Sequence, residues 1–191
     1  QGFLDAVQAS APGSDVFARE VEIEGEVGDF ILSGRMDFLI LRWRDGVPVL
    51  RIVECKASRR DKTYHRVQLA AYRMMVGEIR GRQGLEVGGT RYSTVVLESA
   101  VARIDPDTNE VQDALGLPSL DLEEEMGDLS NLLSAHGPLV RIARTDLEKL
   151  SYRLDATCGA CVHCPICMPD SARQRRLELL GIDPSEVRML R

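Results

Sequence analysis

The chain has 191 residues, 44% of them hydrophobic, which is enough for one sizeable core and too apolar for a disordered chain. A formal net charge of −6 excludes a protein that coats nucleic acid by charge alone. Neither a run of about 18 apolar residues nor a charged-then-apolar leader is present, so no membrane partner is expected and a cytoplasmic protein is. The chain opens on Gln1 rather than Met, which reads as an excised or processed fragment.

Alternation at Val16, Ala18, Val21 and Ile23 predicts a strand over 16–27, and Gly28-Asp29 offers a turn into a second strand from Phe30 to Trp43. Asp45-Gly46 is the next turn. Val47 to Cys55 is apolar and β-branched, as expected of a strand covered on both faces, and completes a three-stranded meander. Thr63 to Ile79 carries apolar residues at Val67, Ala70, Ala71, Met74 and Met75, a helical spacing. Arg91 to Ile104 returns the chain to the sheet, with a hairpin expected around Asp105 to Asn109. Ser119 or Asp121 can cap a second helix to about Ala135, ended by Gly137-Pro138. Gly181 and Pro184 divide Leu177 to Arg191 into two short helical pieces. The expected organisation is a core over 1–157 and a cysteine loop with a helical tail over 158–191.

Charge is uneven along the chain. Between Arg51 and Arg82 stand nine Lys or Arg against Glu54, Asp61 and Glu78, whereas Asp121 to Asp128 holds five acids and no base. Two readings stay open, a phosphate-facing side or two solvated runs.

The chemistry-bearing residues are Gly34-Arg35-Met36-Asp37 on the second strand and Glu54-Cys55-Lys56 at the end of the third. Residues two apart on a strand share a face, so Glu54 and Lys56 emerge side by side while Cys55 points away and is expected in the core. Antiparallel pairing across Asp45-Gly46 can bring Asp37 beside them. Asp37, Glu54 and the main-chain carbonyl of Cys55 are the oxygen donors that a hard divalent ion takes. Lys56 can then orient a nucleophile or stabilise developing negative charge, although a structural ion pair at strand ends would use the same residues.

On the following helix Gln68 and Tyr72 are four apart and share a face. A glycine-containing strand ending in Asp, a β-branched strand ending in Glu-Cys-Lys-Ala-Ser, and a helix with Gln-Leu-Ala-Ala-Tyr together resemble the RecB-type branch of the PD-(D/E)XK nucleases. The resemblance is close over roughly residues 20–75. It implies an α/β fold, a restriction-endonuclease-like central mixed β-sheet flanked by helices, with a C-terminal cysteine metal-binding loop. It further implies Mg2+ or Mn2+ held by Asp37 and Glu54, catalysis by Lys56, support from Gln68 and Tyr72, and DNA as substrate, with a helicase or other nucleic-acid-processing protein as a possible partner. Many relatives carry an upstream His at the metal site, whereas the first His here is His65. Either the fragment starts too late, or Glu20, Glu22 or Glu24 substitutes, with Glu20 preferred, or the activity is impaired. His65 itself reads as an exposed residue at a helix start, and Trp43 as a packing residue rather than a base-stacking one.

Cys158, Cys161, Cys164 and Cys167 fall within ten residues, a density that reads as a shared soft cation rather than a disulfide framework. The compact loop with Pro165 after Cys164 looks more like iron-sulfur than zinc ligation. Cys158, Cys161 and Cys167 match the spacing of the iron-sulfur branch of the same nucleases, so a 4Fe-4S cluster is expected, with Zn2+ as the alternative. Three functions compete: a DNA nuclease of repair, recombination or defence, a catalytically degenerate module of the same fold that binds without cutting, and a metal-cluster regulator that leaves the strand residues unused.

Overall fold

The computed structural model describes residues 2–57, 62–105, 107–108, 110, 112–146, 149, 154, 158–180 and 189. Two turns frame its sheet. Strand β1 (Val16–Val27) runs antiparallel to β2 (Phe30–Arg44), which runs antiparallel to β3 (Val47–Lys56). Asp45 and Gly46 both have positive φ, 51° and 77°, the two-residue turn whose twist matches that of the flanking strands. That turn fixes the register, pairing Arg44 with Val47 and, six residues along, Phe38 with Val53.

Helix α2 (Thr63–Gln83) then carries the chain across the sheet, and a later strand (Val96–Arg103) lies parallel to β3. This order, two antiparallel pairs and one parallel, makes a mixed central sheet with helices packed on it. A short helix α1 (Phe3–Ala9) precedes β1, and α3 (Glu123–Leu133) and α4 (Pro138–Ala143) follow the last strand.

β3 is buried on both faces over most of its length, which explains why it is mostly apolar, with Arg51 and Glu54 as its buried charged residues. Leu50 and Ile52 join Leu39 and Leu41 of β2 against Leu69, Tyr72, Met75 and Val76 of α2. Each such side chain contributes about 1.5–3 kcal/mol by leaving water. On the opposite face Val53 packs with Ile40, Ala102, Ala114 and Leu117. A buried guanidinium stitches this second layer down: Arg51 donates to Glu98 Oε2 at 2.8 Å, to the Ala114 carbonyl at 3.1 Å and to the Leu117 carbonyl.

Several elements differ from the pattern read in the sequence. α2 runs four residues past Ile79, to Gln83, and the stretch after it splits into β4 (Leu85–Val87) and β5 (Thr90–Tyr92), which pair only with each other, before β6 (Val96–Arg103) joins the main sheet. Gly137-Pro138 starts a helix instead of merely ending one, because proline's fixed φ suits a first helical turn. The turn after Ile104 is present: Asp105 Oδ1 accepts the Asp107 and Thr108 N–H groups, and the Gln112 N–H reaches back to the Arg103 carbonyl at 2.8 Å. The second helical piece expected in the tail lies almost wholly outside the described residues.

Residues 144–191 form a second compact unit. Its described part holds a 3-10 turn at Cys158–Ala160, helix α5 (Cys164–Arg173) and a 3-10 turn at Leu177–Leu180. Among the described residues no helix is long and apolar enough to cross a membrane.

Candidate active site

The β2–β3 ladder reaches Phe38 and Val53; one residue further on each strand stand Asp37 and Glu54. There side chains take over from the backbone pairing. The Asp37 N–H donates to Glu54 Oε1 at 3.3 Å, and the Cys55 N–H donates to Asp37 Oδ2 at 2.7 Å. Each carboxylate is thus held by the other's strand. Lys56, two residues on and on the same face as Glu54, donates to Glu54 Oε2 at 2.7 Å and to Gln68 Oε1 at 3.1 Å. Gln68 Nε2 donates to the Tyr72 hydroxyl at 3.0 Å, and that hydroxyl donates to the Arg35 carbonyl at 2.9 Å. The five residues singled out by motif form one hydrogen-bonded chain from β2 through β3 to α2.

Glu54 is only 1% exposed. Burial pushes its pKa up, the charge of Asp37 adds to that, and Lys56 with the Asp37 N–H opposes without cancelling it. For Lys56, burial alone would lower the pKa, but the hydrogen bond and charge of Glu54, with Asp37, hold it above its ordinary value. Two carboxylates therefore share one ammonium. An all-oxygen donor set with surplus negative charge fits a hard divalent cation. Among the described residues no three His, Cys, Asp or Glu side chains gather at one point, so protein carboxylates would fill only part of such an ion's coordination.

Glu20 stands opposite Asp37, in the gap between the Arg19–Phe38 and Val21–Met36 pairs. Its φ of 54° is a strained conformation for a residue with a Cβ, of the sort that gathers at functional sites. The strand changes face there: Val16 and Ala18 are sheltered, Arg19 and Glu20 are both exposed, and Val21 and Ile23 are sheltered again. The Glu20 carboxylate meets Arg35 Nε at 2.9 Å, both side chains being more than half exposed. Glu22 and Glu24 are exposed on the same strand.

Two expectations are corrected. Cys55 is exposed rather than core, because the layer that covers Val53 does not extend to the strand end. His65 is 1% exposed rather than a surface residue, because it prolongs by one turn the inward stripe of Leu69, Tyr72 and Val76. Trp43 packs as expected, donating Nε1–H to the Ser14 carbonyl at 2.9 Å and meeting Tyr92 edge-on at 5.3 Å.

Part of the basic run is committed inside the fold. Arg51 binds Glu98, Arg66 binds Glu125, and Arg73 lies 3.9 Å from Glu123. Acids of the 121–128 run thus tie α3 to α2 while favouring the N-terminal end of α3. Sequence assigns Arg35 no role. In the fold its carbonyl anchors Tyr72 and its guanidinium pairs with Glu20, and no local signal marks a backbone acceptor.

None of the four clustered cysteines is in a disulfide; Cys161 is exposed and the others are half-buried. The Cys161 N–H donates to the Cys158 carbonyl at 3.2 Å, and the Cys164 N–H to the Cys161 carbonyl at 3.0 Å. These successive turns do not gather three sulfurs into a ligand set.

Fold and site together define an α/β domain whose mixed sheet carries two carboxylates and a lysine where the β2–β3 ladder ends. The model of the PD-(D/E)XK nuclease superfamily matches residues 2–168, and the chain belongs to that superfamily. No curated protein matches it in sequence. A solved structure described as "Crystal structure of SSO0001" aligns at 17% identity and a TM-score of 0.36 over 79% of this chain, which spans 60% of that one.

Proposed function

We propose that the chain is a Mg2+- or Mn2+-dependent deoxyribonuclease of the RecB-type branch, with its centre at Asp37, Glu54 and Lys56. The observation that carries this reading is the continuous bonding of Asp37, Glu54, Lys56, Gln68 and Tyr72. Asp37, Glu54 and the Cys55 carbonyl would hold the ion, with Glu20 an added candidate across β1. A bound ion supplies an acidified water and neutralises charge on the scissile phosphate. Lys56 commits two of its three donors to Glu54 and Gln68, and the third serves a phosphoryl oxygen or the attacking water. Gln68 and Tyr72 act as positioning residues that keep the ammonium at that point.

The test is cleavage of single- and double-stranded DNA by the wild-type chain. Activity should require Mg2+ or Mn2+ and vanish in chelator. A second reading, a degenerate module that binds DNA or a helicase without cutting, is favoured by the pairing of Glu20 with Arg35, which leaves two carboxylates at the centre. DNA binding without cleavage at any divalent-ion concentration would establish it.

The proposal includes a core over 1–157 and a metal-binding loop over 158–191, a cytoplasmic location, and a role in repair, recombination or defence. For the loop, the support is the spacing of Cys158, Cys161, Cys164 and Cys167, none of which is in a disulfide. Their geometry here does not fit a 4Fe-4S cluster or Zn2+ without rearrangement, and no chemical step is assigned to it.

A further inference from the structure

Tyr64 is 58% exposed, a large aromatic side chain left in water at the second residue of α2. It is not loose. Its ring meets the buried His65 edge-on, with centroids 4.2 Å apart at 76°, and Lys62 Nζ lies 5.6 Å from its centroid. One side of the phenol is braced by a fixed neighbour and a cation sits over the ring, yet most of the ring is open.

Its position along the helix gives that openness a direction. Tyr64, Gln68 and Tyr72 follow one another at intervals of four, so their Cβ atoms succeed each other at roughly 5–6 Å along one edge of α2. Gln68 touches Lys56 at 3.1 Å, and Tyr72 is 94% buried beneath it. Helical side chains lean toward the N-terminus, so Tyr64, one turn before the Gln68 that touches Lys56, is directed toward the start of α2 rather than back along the helix. The stripe thus passes from packing, through the lysine, to an exposed ring beside a cation. Trp43, the other aromatic considered for base contact, is spent on Ser14 and Tyr92.

An exposed ring next to a lysine is the pairing that holds single strands, the cation for the backbone and the π-face for a base. We propose that Tyr64 is a stacking platform for an unpaired nucleobase next to the phosphate held at Asp37, Glu54 and Lys56, so that the site takes single-stranded or frayed ends in preference to closed duplex. This rests on the nuclease reading above. A base inside a duplex is already stacked on both faces, so Tyr64 gains nothing from it.

The experiment is fluorescence-anisotropy binding of a labelled oligothymidylate of about twelve nucleotides and of a blunt duplex, in Ca2+, with cleavage in Mg2+ measured in parallel. Tyr64→Ala and Tyr64→Leu should weaken single-strand binding about tenfold and leave duplex binding unchanged, whereas Tyr64→Phe should behave as wild type. Leu keeps apolar bulk against His65, so its loss of affinity separates stacking from packing. Wild-type affinity in Tyr64→Leu, or equal losses on both substrates, overturns the proposal and leaves the nuclease reading in place if the wild-type chain cuts. A wild-type chain that binds neither substrate overturns both.

Discussion

Tyr72 lies directly over Gly34: a Cβ at position 34 would fall 2.6 Å from Tyr72 Cε1. The glycine is there for room, since only a bare Cα lets the phenol reach the Arg35 carbonyl and meet Gln68. Gly34→Ala should therefore displace Tyr72, cost about 1–3 kcal/mol of stability through overpacking, and lower cleavage as well. Urea unfolding measures the first effect. An unchanged midpoint together with unchanged activity would mean that the Tyr72 contact is incidental.

Asp37→Ala and Lys56→Ala should abolish DNA cleavage with far-ultraviolet spectra like the wild type, because these side chains serve charge beyond the end of the β2–β3 ladder rather than packing. Tyr72→Phe, which removes one hydroxyl from the chain of bonds, should cost about fivefold, the weight of one hydrogen bond. Wild-type-like cleavage by Lys56→Ala would remove the catalytic assignment.

Burial first, and then the charge of Asp37, raise the Glu54 pKa above its ordinary 4.5. The protonated form is thus the one favoured by folding. Its contribution to stability is complete below 4.5 and is lost as pH rises through the raised pKa. In chelator, the wild-type protein should therefore lose stability through that window relative to Glu54→Gln, which stays neutral. Magnesium affinity, which needs the carboxylate, should rise over the same window. Urea unfolding of both proteins from about pH 4 to about pH 8 tests this, and parallel curves would refute it.

Arg51 and Glu98 form a buried pair at 2.8 Å, with Arg44 also on Glu98. Burial would raise the Glu98 pKa, but its bonds to the two arginines outweigh that and hold it below 4.5. The stabilisation is therefore present above 4.5 and lost as pH falls through the lowered pKa. Arg51→Met should cost about 3–5 kcal/mol at neutral pH and move acid unfolding to higher pH. A midpoint within error of wild type would show that Arg44 alone suffices.

Cys158→Ser and Cys161→Ser should lower metal content and thermal stability together if the loop binds a cluster, because ligation supplies folding energy. Anaerobically purified wild type should be brown and contain iron, whereas zinc would leave it colourless. Elemental analysis finding neither metal in protein purified this way removes the site.

Much of the site is legible in local sequence because local rules govern it. A period of two puts Glu54 and Lys56 on one face, the Asp45-Gly46 turn sets the register that brings Asp37 opposite Glu54, and a period of 3.6 aligns Gln68 with Tyr72. Burial is not local. That His65 is enclosed and Cys55 exposed depends on which distant segments cover the start of α2 and the end of β3. The same holds for Arg51, Arg66 and Arg73, whose charges look available in a sequence count but are met by acids 47 to 59 residues away. The sequence by itself determined the three-stranded meander, its turns and the order of chemical groups, since each follows from the dihedral preferences and side-chain spacing of near neighbours. Only the tertiary structure decided which of those groups lose their water and which charges meet, because desolvation and ion pairing depend on contacts made by residues far apart in the chain.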